Sequence, residues 1–369
     1  MRESTIRVGI IGAGQIGKQH IQNYRKIEGV QIVAVADIDE PTATEVSERF
    51  GIAEAHTDFR RILDHPDIDA VDVCLHNNLH RAVTESALAA GKHVYCEKPM
   101  AGSYTDAAAM LETARKNGTK LSIQLGTLFT KETRVAKRLI EAGRLGRLYH
   151  ARSYGFRRRG RPFVDGYGTM NFVKREMAAG GALYDMGVYH IAQVLYLLGC
   201  PCPQRITGRV YQECDMDDRR REQSGYNVEE LGCGFITFEG GLTLDVLEAW
   251  AIHMDSFPGS FIVGNEGGVR LSPLTYHACC EDMVVDSRFD LNEDSLRWHR
   301  LDPVQVAYDS PQHHWIWALR GCVPLEPTAE TALLTMLLSE GIYLSHRLGR
   351  EVTADEVKEA SPSLALDVG

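Results

Sequence analysis

The segment that most restricts the fold is Gly12-Ala13-Gly14-Gln15-Ile16-Gly17, because of what flanks it. Residues 6–11 before it are short and largely apolar, as a buried strand requires, and residues 18–26 after it read as a helix. G-x-G-x-x-G between a strand and a helix is the turn of a dinucleotide-binding βαβ unit. Gly12 permits the tight turn, Gly14 lets a pyrophosphate approach the backbone, and Gly17 lets helix and strand pack closely. Free N–H groups and the positive end of the helix dipole then face the phosphates, with Gln15 and Ile16 beside them. A second strand, residues 30–36, ends at Asp37, twenty positions past Gly17. An acid there accepts hydrogen bonds from the adenosine ribose hydroxyls and repels a 2′-phosphate. NAD is therefore expected in preference to NADP.

The alternation continues beyond Asp37. Residues 41–50 and 59–63 read as helices, 70–75 as a third strand, and 76–80 as a polar loop. Residues 81–90 read as a helix closed by Gly91, 93–95 as a fourth strand delivering Glu97 and Lys98, 104–117 as a helix, and 120–125 as a fifth strand. Strands alternating with helices of this length make a parallel, doubly wound sheet, so a first α/β domain is expected over residues 1–125. Past Gly126 the pattern changes. A helix at 131–142, an extended stretch at 148–156 and a helix at 183–198 precede strand-like runs at 205–212, 229–238, 242–250 and 261–264. The turn Glu239-Gly240-Gly241 joins two of them as a hairpin, which predicts an antiparallel sheet in a second domain, residues 126–369. A helix at 328–348 closes that domain. Residues 215–224, mixing acids and bases, are expected as a mobile loop or sheet-edge insertion.

Composition excludes several classes. The formal net charge is −10, and the one dense basic run is Arg157-Arg158-Arg159-Gly160-Arg161, which speaks against non-specific nucleic-acid binding. The nine cysteines contain no C-x-x-C pair, so no metal site is expected. Their scattered, odd number suits a reducing compartment. No apolar run is long enough to span a bilayer, and Met1 leads almost directly into the first strand, so a cytoplasmic protein with no membrane partner is expected.

Three stretches together resemble one family: GAGQIG at 12–17, GKHVYCEKPM at 91–100 and GGALYDMGVYHI at 180–191. The chain resembles, over nearly its whole length, the glucose–fructose oxidoreductase, inositol dehydrogenase and rhizopine-catabolism (Gfo/Idh/MocA) oxidoreductases. The resemblance implies an N-terminal Rossmann domain followed by an α/β domain with a large, mostly antiparallel open sheet. It also implies NAD(P)-linked oxidation or reduction of sugars, cyclitols or related polyols. By position it makes Lys98 the catalytic lysine and places Glu97 near the nicotinamide or its ribose. His76, Asn77 and His80 fall in the loop that borders the cofactor, although Leu75 and His76 replace the usual Thr and Pro. Most members read D-x-G-x-H. Here Asp185-Met186-Gly187-Val188-Tyr189-His190 puts Tyr189 where His is usual, as in the glucose–fructose oxidoreductase branch.

These residue types suit alcohol oxidation, which removes a hydroxyl proton as hydride leaves the same carbon. A lysine ammonium favours the developing alkoxide and lowers the pKa of a neighbouring Tyr. Asp185 and Tyr189, at i and i+4, share a helix face, with His190 about 100° away round the helix. Either Tyr189 or His190 serves as base, with Tyr189 favoured by its aligned position and its shared helix face with Asp185. His190 also fits a packed role, and Tyr189 that of a packed aromatic. Tyr154, Phe156, Phe163, Tyr167 and Phe172 suit stacking on a sugar face or an aglycone. Arg158, in the basic run, and His314, beside Trp315, are further candidates for substrate contact, each with a structural alternative. The expected function is an NAD-dependent dehydrogenase of a secondary hydroxyl in a sugar, cyclitol or glycoside. A same-fold glycoside hydrolase using transient oxidation, and a non-catalytic NAD-binding regulator, are the alternatives. The sheet of the second domain offers a subunit interface, so a homo-oligomer is expected.

Overall fold

The structure, a computed structural model, describes residues 5–368. The first sheet contains β1 (Ile6–Ile11), β2 (Val30–Ala36), β3 (Glu54–His56), β4 (Ala70–Val73), β5 (His93–Cys96) and β6 (Leu121–Ile123). They run parallel in the order β3-β2-β1-β4-β5-β6. Helices on both faces bury the central strands, which explains their near-continuous apolar sequences. Asp72, fully buried in β4, is the exception. The order reverses between β1 and β4, and ligands of such sheets bind at that switch point, outside the carboxyl ends of the strands.

The second sheet contains β7 (Leu148–Phe156), β8 (Pro203–Tyr211), β9 (Leu231–Phe238), β10 (Thr243–Ala249), β11 (Phe261–Gly264), β12 (Gly267–Leu271), β13 (Leu274–Cys280), β14 (Met283–Arg288) and β15 (Val352–Thr353). Its order is β14-β13-β12-β11-β7-β10-β9-β8-β15. Every neighbouring pair is antiparallel except β7 and β10. Ile191, Val194 and Leu195 of the Val188–Leu197 helix, with Leu338 and Ile342 of the Thr328–Leu348 helix, pack on one face against Ile206, Ile236, Phe238, Leu244 and Ile262.

Several local expectations differ from the structure. Residues 76–80, read as a loop, largely belong to the helix Asn77–Ala89. Its polar first turn is held from the second domain, by Asn77 Nδ2 on the Ala178 carbonyl (2.9 Å) and Asn78 Nδ2 on that of Glu176 (3.2 Å). Tertiary contact here outweighs propensity. Residues 215–224 contain a short helix, Asp218–Ser224, whose N-cap Asp217 accepts from the Arg220 N–H. Strands β3 and β12–β14 and the helices Leu291–Leu301 and Pro311–Leu319 were not legible in the pattern. The last of these returns to the first sheet, where Trp315 and Ile316 pack with Ile10, Tyr24 and Tyr95. The second half of the chain thus completes the first core.

Candidate active site

The Gly-rich turn leaves β1 at the switch point. Gly12 has φ +98°, and a Cβ there would lie 2.3 Å from the Cys74 carbonyl oxygen, so only glycine fits. No side chain caps the first turn of the following helix, Gln15–Tyr24. Gly14, Gln15 and Ile16 are exposed, and a Cβ on Gly14 would meet nothing within 4 Å. An exposed, uncapped first turn at a helix N-terminus is what a pyrophosphate requires. Asp37 follows β2, its Oδ2 accepting from the Ala13 N–H (2.8 Å) and its Oδ1 from the Asp39 N–H (3.0 Å). The carboxylate is thereby pinned beside the turn, with lone pairs remaining for a ribose diol. The residues present fit NAD.

Lys98 leaves the end of β5 and reaches across to the second domain. Its Nζ donates to the Asp185 carbonyl (3.0 Å) and Oδ1 (3.1 Å), and lies 4.7 Å from the centroid of the Tyr189 ring. Asp185 Oδ2 accepts from Trp250 Nε1 (3.0 Å), and Trp250 is fully buried. Asp185 sits in a single wide π-turn, Leu183–Gly187, that precedes the α-helix Val188–Leu197. Such turns are frequent at functional sites. The turn is anchored at its start by Glu229, whose buried carboxylate accepts from the N–H groups of Gly181 and Leu183 and from the Tyr343 hydroxyl. Burial pushes the Glu229 carboxyl above its ordinary range, against the pull of these three donors.

The electrostatics follow from burial and pairing. Burial favours a neutral lysine, but Asp185, Tyr189 and Glu97 outweigh it and hold the ammonium above the ordinary lysine range. Burial likewise pushes the Asp185 carboxyl up, and the Lys98 charge together with the hydrogen bonds from Lys98 and Trp250 more than reverses this. For Tyr189 burial dominates: the phenol stays above its usual value although Lys98 pulls it down. The expected lowering by Lys98 is therefore present but not the larger effect.

A cavity of about 890 Å³ opens beside this cluster, its walls including Tyr154, Phe156, Arg157, Tyr189, His190 and Phe257. Phe257 packs between the other two rings, its centroid 4.8 Å from Tyr154 and 4.9 Å from Phe156. His190 Nδ1 lies 2.9 Å from Oε2 of Glu248, a fully buried carboxylate whose Oε1 accepts from Ser153 (3.1 Å). Gly155 makes room for this pair, since a Cβ there would sit 2.2 Å from the His190 ring. Burial favours neutral His190, but Glu248 raises the imidazole above its ordinary value.

Three proposed contacts need correction. His80 is fully buried, with its ring nitrogens 2.9 Å from the Pro99 carbonyl and 3.1 Å from that of Leu75. It braces the Lys98 loop from beneath instead of facing the cofactor. His314 is also fully buried, between Phe129 and Tyr308, and its Nε2 accepts from the Glu326 N–H (2.9 Å). It does not line the sugar cavity. In the basic run it is Arg157, not the exposed Arg158, that lines the cavity. Arg157 Nη1 donates to the Gly160 carbonyl and the Tyr167 hydroxyl. Arg161 is buried in ion pairs with Asp165 and Glu230. Asn77 spends its amide N–H on the second domain, and His76 is the exposed N-cap of the same helix. Sequence reasoning missed Trp250, Glu248, Phe257 and the buried acid Asp72. A charged residue inside an otherwise apolar strand was the available signal for Asp72.

A dinucleotide turn facing a lysine–carboxylate–tyrosine cluster across two domains belongs to the two-domain, dinucleotide-dependent oxidoreductases. Within that class the chain belongs to the Gfo/Idh/MocA family. Residues 6–125 match the model described as "Oxidoreductase family, NAD-binding Rossmann fold", and residues 133–270 match the "GFO/IDH/MocA C-terminal domain". Similar proteins include a D-glucoside 3-dehydrogenase of Escherichia coli, 32% identical over 74% of this chain and 79% of that protein. A D-apiose dehydrogenase of Paraburkholderia graminis is 25% identical over 96% of this chain and 91% of its own. A myo-inositol 2-dehydrogenase of Thermotoga maritima is 28% identical over 53% and 55%. The solved structure of a levoglucosan dehydrogenase in complex with NADH and levoglucosan shares the fold, with TM-score 0.76 at 22% identity, covering 95% of this chain and 99% of that one. The protein is an NAD-binding oxidoreductase.

Proposed function

We propose that the protein oxidises a secondary ring hydroxyl of a sugar or glycoside, with Tyr189 accepting the hydroxyl proton and Lys98 stabilising the alkoxide. The observation that carries this reading is the Lys98 ammonium held between Asp185 and the Tyr189 ring beside the cavity. When bound, NAD supplies the hydride acceptor. Asp185, fixed by Trp250, aims the ammonium, and Lys98 opposes the burial that otherwise keeps Tyr189 protonated. The rings of Tyr154, Phe156 and Phe257 exclude water and offer apolar faces to a sugar or aglycone. The names of the similar proteins, dehydrogenases of a D-glucoside, myo-inositol and D-apiose, support a polyhydroxylated substrate. A panel of sugars, inositols and glycosides tests the reading. NADH should form with at least one of them, and NMR should locate the new carbonyl on a ring carbon. A panel that gives no NADH with intact, NAD-binding protein counts against it.

The His190–Glu248 pair favours a second reading. It places another acid–base group in the same cavity, as transient oxidation followed by elimination requires. Release of an aglycone without net NADH separates that reading from simple dehydrogenation. We also propose a homo-oligomer. Phe235 of β9 is exposed on the sheet face opposite the buried Ile236 and Phe238, a natural place for a second subunit.

A further inference from the structure

A buried charged cluster that the steps proposed for Lys98 and Tyr189 do not use adjoins Lys98. His20, on the second turn of the Gln15–Tyr24 helix, is 2% exposed. Its Nδ1 lies 2.9 Å from Asp72 Oδ2, and its Nε2 lies 2.9 Å from Glu97 Oε1. Glu97 Oε2 accepts the backbone N–H of Lys98 (3.0 Å). Cys74 Sγ donates to Asp72 Oδ1 (3.2 Å) and lies 3.4 Å from His20 Nδ1, while the Tyr95 ring packs at 5.8 Å.

Burial pushes the Glu97 carboxyl up, but His20 and Lys98 hold it below the ordinary carboxylate range, and with both carboxylates ionised hydrogen-bond counting gives the charge state of the ring. Ionised carboxylates only accept, and a neutral imidazole donates from one nitrogen alone. With a carboxylate on each nitrogen, a neutral ring would set one lone pair against another in a site without water-like screening. It would also leave Asp72, fully buried, without a full opposing charge. A ring protonated on both nitrogens satisfies both contacts with charge-assisted bonds. The route is then continuous. It runs from the helix whose N-terminus takes the pyrophosphate, through His20 and Glu97, to the backbone of Lys98.

We propose that His20 is a positioning residue for the reaction. Held as an imidazolium between Asp72 and Glu97, it locks the Glu97 carboxylate onto the Lys98 amide, and so ties the dinucleotide-binding helix to the aim of the Lys98 ammonium. The proposal rests on the reading of Lys98 as the catalytic ammonium. Burial favours a neutral His20, but Asp72 holds the imidazole well above its ordinary value, in agreement with the geometry.

Two measurements test it. In the full-length protein with ¹⁵N-labelled histidine, one imidazole should keep both nitrogens protonated well beyond the pH at which an ordinary histidine, of pKa about 6.5, loses its proton. That signal should be absent in His20→Gln and displaced in Glu97→Gln. In kinetics, His20→Gln should lower kcat roughly tenfold to a hundredfold, the scale of a misaimed catalytic group. Sugar KM and NAD binding followed by protein fluorescence should stay near wild type, while the melting temperature should fall, because Asp72 and Glu97 lose the charge between them. The double variant His20→Gln/Glu97→Gln should be no slower than Glu97→Gln alone, since both break one chain of contacts. A His20 ring that titrates near neutrality overturns the proposal. So do a normal kcat in folded His20→Gln, multiplying effects in the double variant, or a stoichiometric metal on the His20–Asp72–Cys74 donors of the purified protein. Where His20→Gln does not fold, the wild-type spectrum and its response to Glu97→Gln still decide the charge state. Normal turnover in Lys98→Met would remove the catalytic reading without touching the spectroscopic result.

Discussion

Replacing Lys98 with Met keeps an unbranched stem of similar length and removes the charge. In the folded protein this deletes two hydrogen bonds to Asp185, at 3.0 and 3.1 Å, and the cation 4.7 Å from the Tyr189 ring centroid. Truncating one member of a buried ion pair commonly costs about 3–5 kcal/mol. Here the Asp185 side chain is 20% exposed and keeps its bond from Trp250, so a smaller loss of about 1–3 kcal/mol is expected. The catalytic cost has a separate origin. A preorganised cation beside the developing alkoxide is worth about a hundredfold to a thousandfold in turnover, or about 2.7–4 kcal/mol of barrier. Thermal melting should show a modest shift, NAD should still bind by fluorescence titration, and NADH formation at saturating sugar should fall by those factors. Turnover within about tenfold of wild type in folded, NAD-binding protein would refute the role assigned to Lys98, since that scale lies below the loss of any such donor.

Tyr189→Phe should reduce turnover roughly a hundredfold, the scale of lost acid–base catalysis, while sparing NAD affinity, and His190→Asn should act more on sugar KM; the reverse pattern assigns the base to His190. The pH profile checks this independently: Tyr189 is held above its ordinary value, so its deprotonated fraction, and with it the oxidation rate, should climb through the alkaline range. With His190 as base the rate would instead level off once the imidazole, raised by Glu248, had lost its proton. Asp37→Ala should narrow the preference for NAD over NADP in paired kinetic assays, because it removes the charge that repels a 2′-phosphate; a wild-type preference for NADP would contradict the role of Asp37.

The local chemistry of the first domain is written in its residues. Gly12, Gly14 and Gly17 constrain the backbone within a few residues, Asp37 closes a short βαβ unit, and the apolar periods of β1, β2 and the Thr328–Leu348 helix arise from burial patterns that repeat along the chain. The resemblance at Lys98, Asp185 and Tyr189 pointed to residues the fold brings together. What the tertiary structure decided are contacts between residues far apart in the chain. His20 meets Asp72 and Glu97, His190 meets Glu248, and Trp250 fixes Asp185. His80 and His314 illustrate the limit from the other side. Their neighbours in sequence suggested a cleft, yet each is sealed inside a core, where backbone groups of other segments supply its hydrogen bonds. A side chain's type and spacing establish what chemistry it can perform. Whether it faces a cavity or a packed interior depends on which distant elements cover it, and that is settled only when the two sheets and the returning Pro311–Leu319 helix close around it.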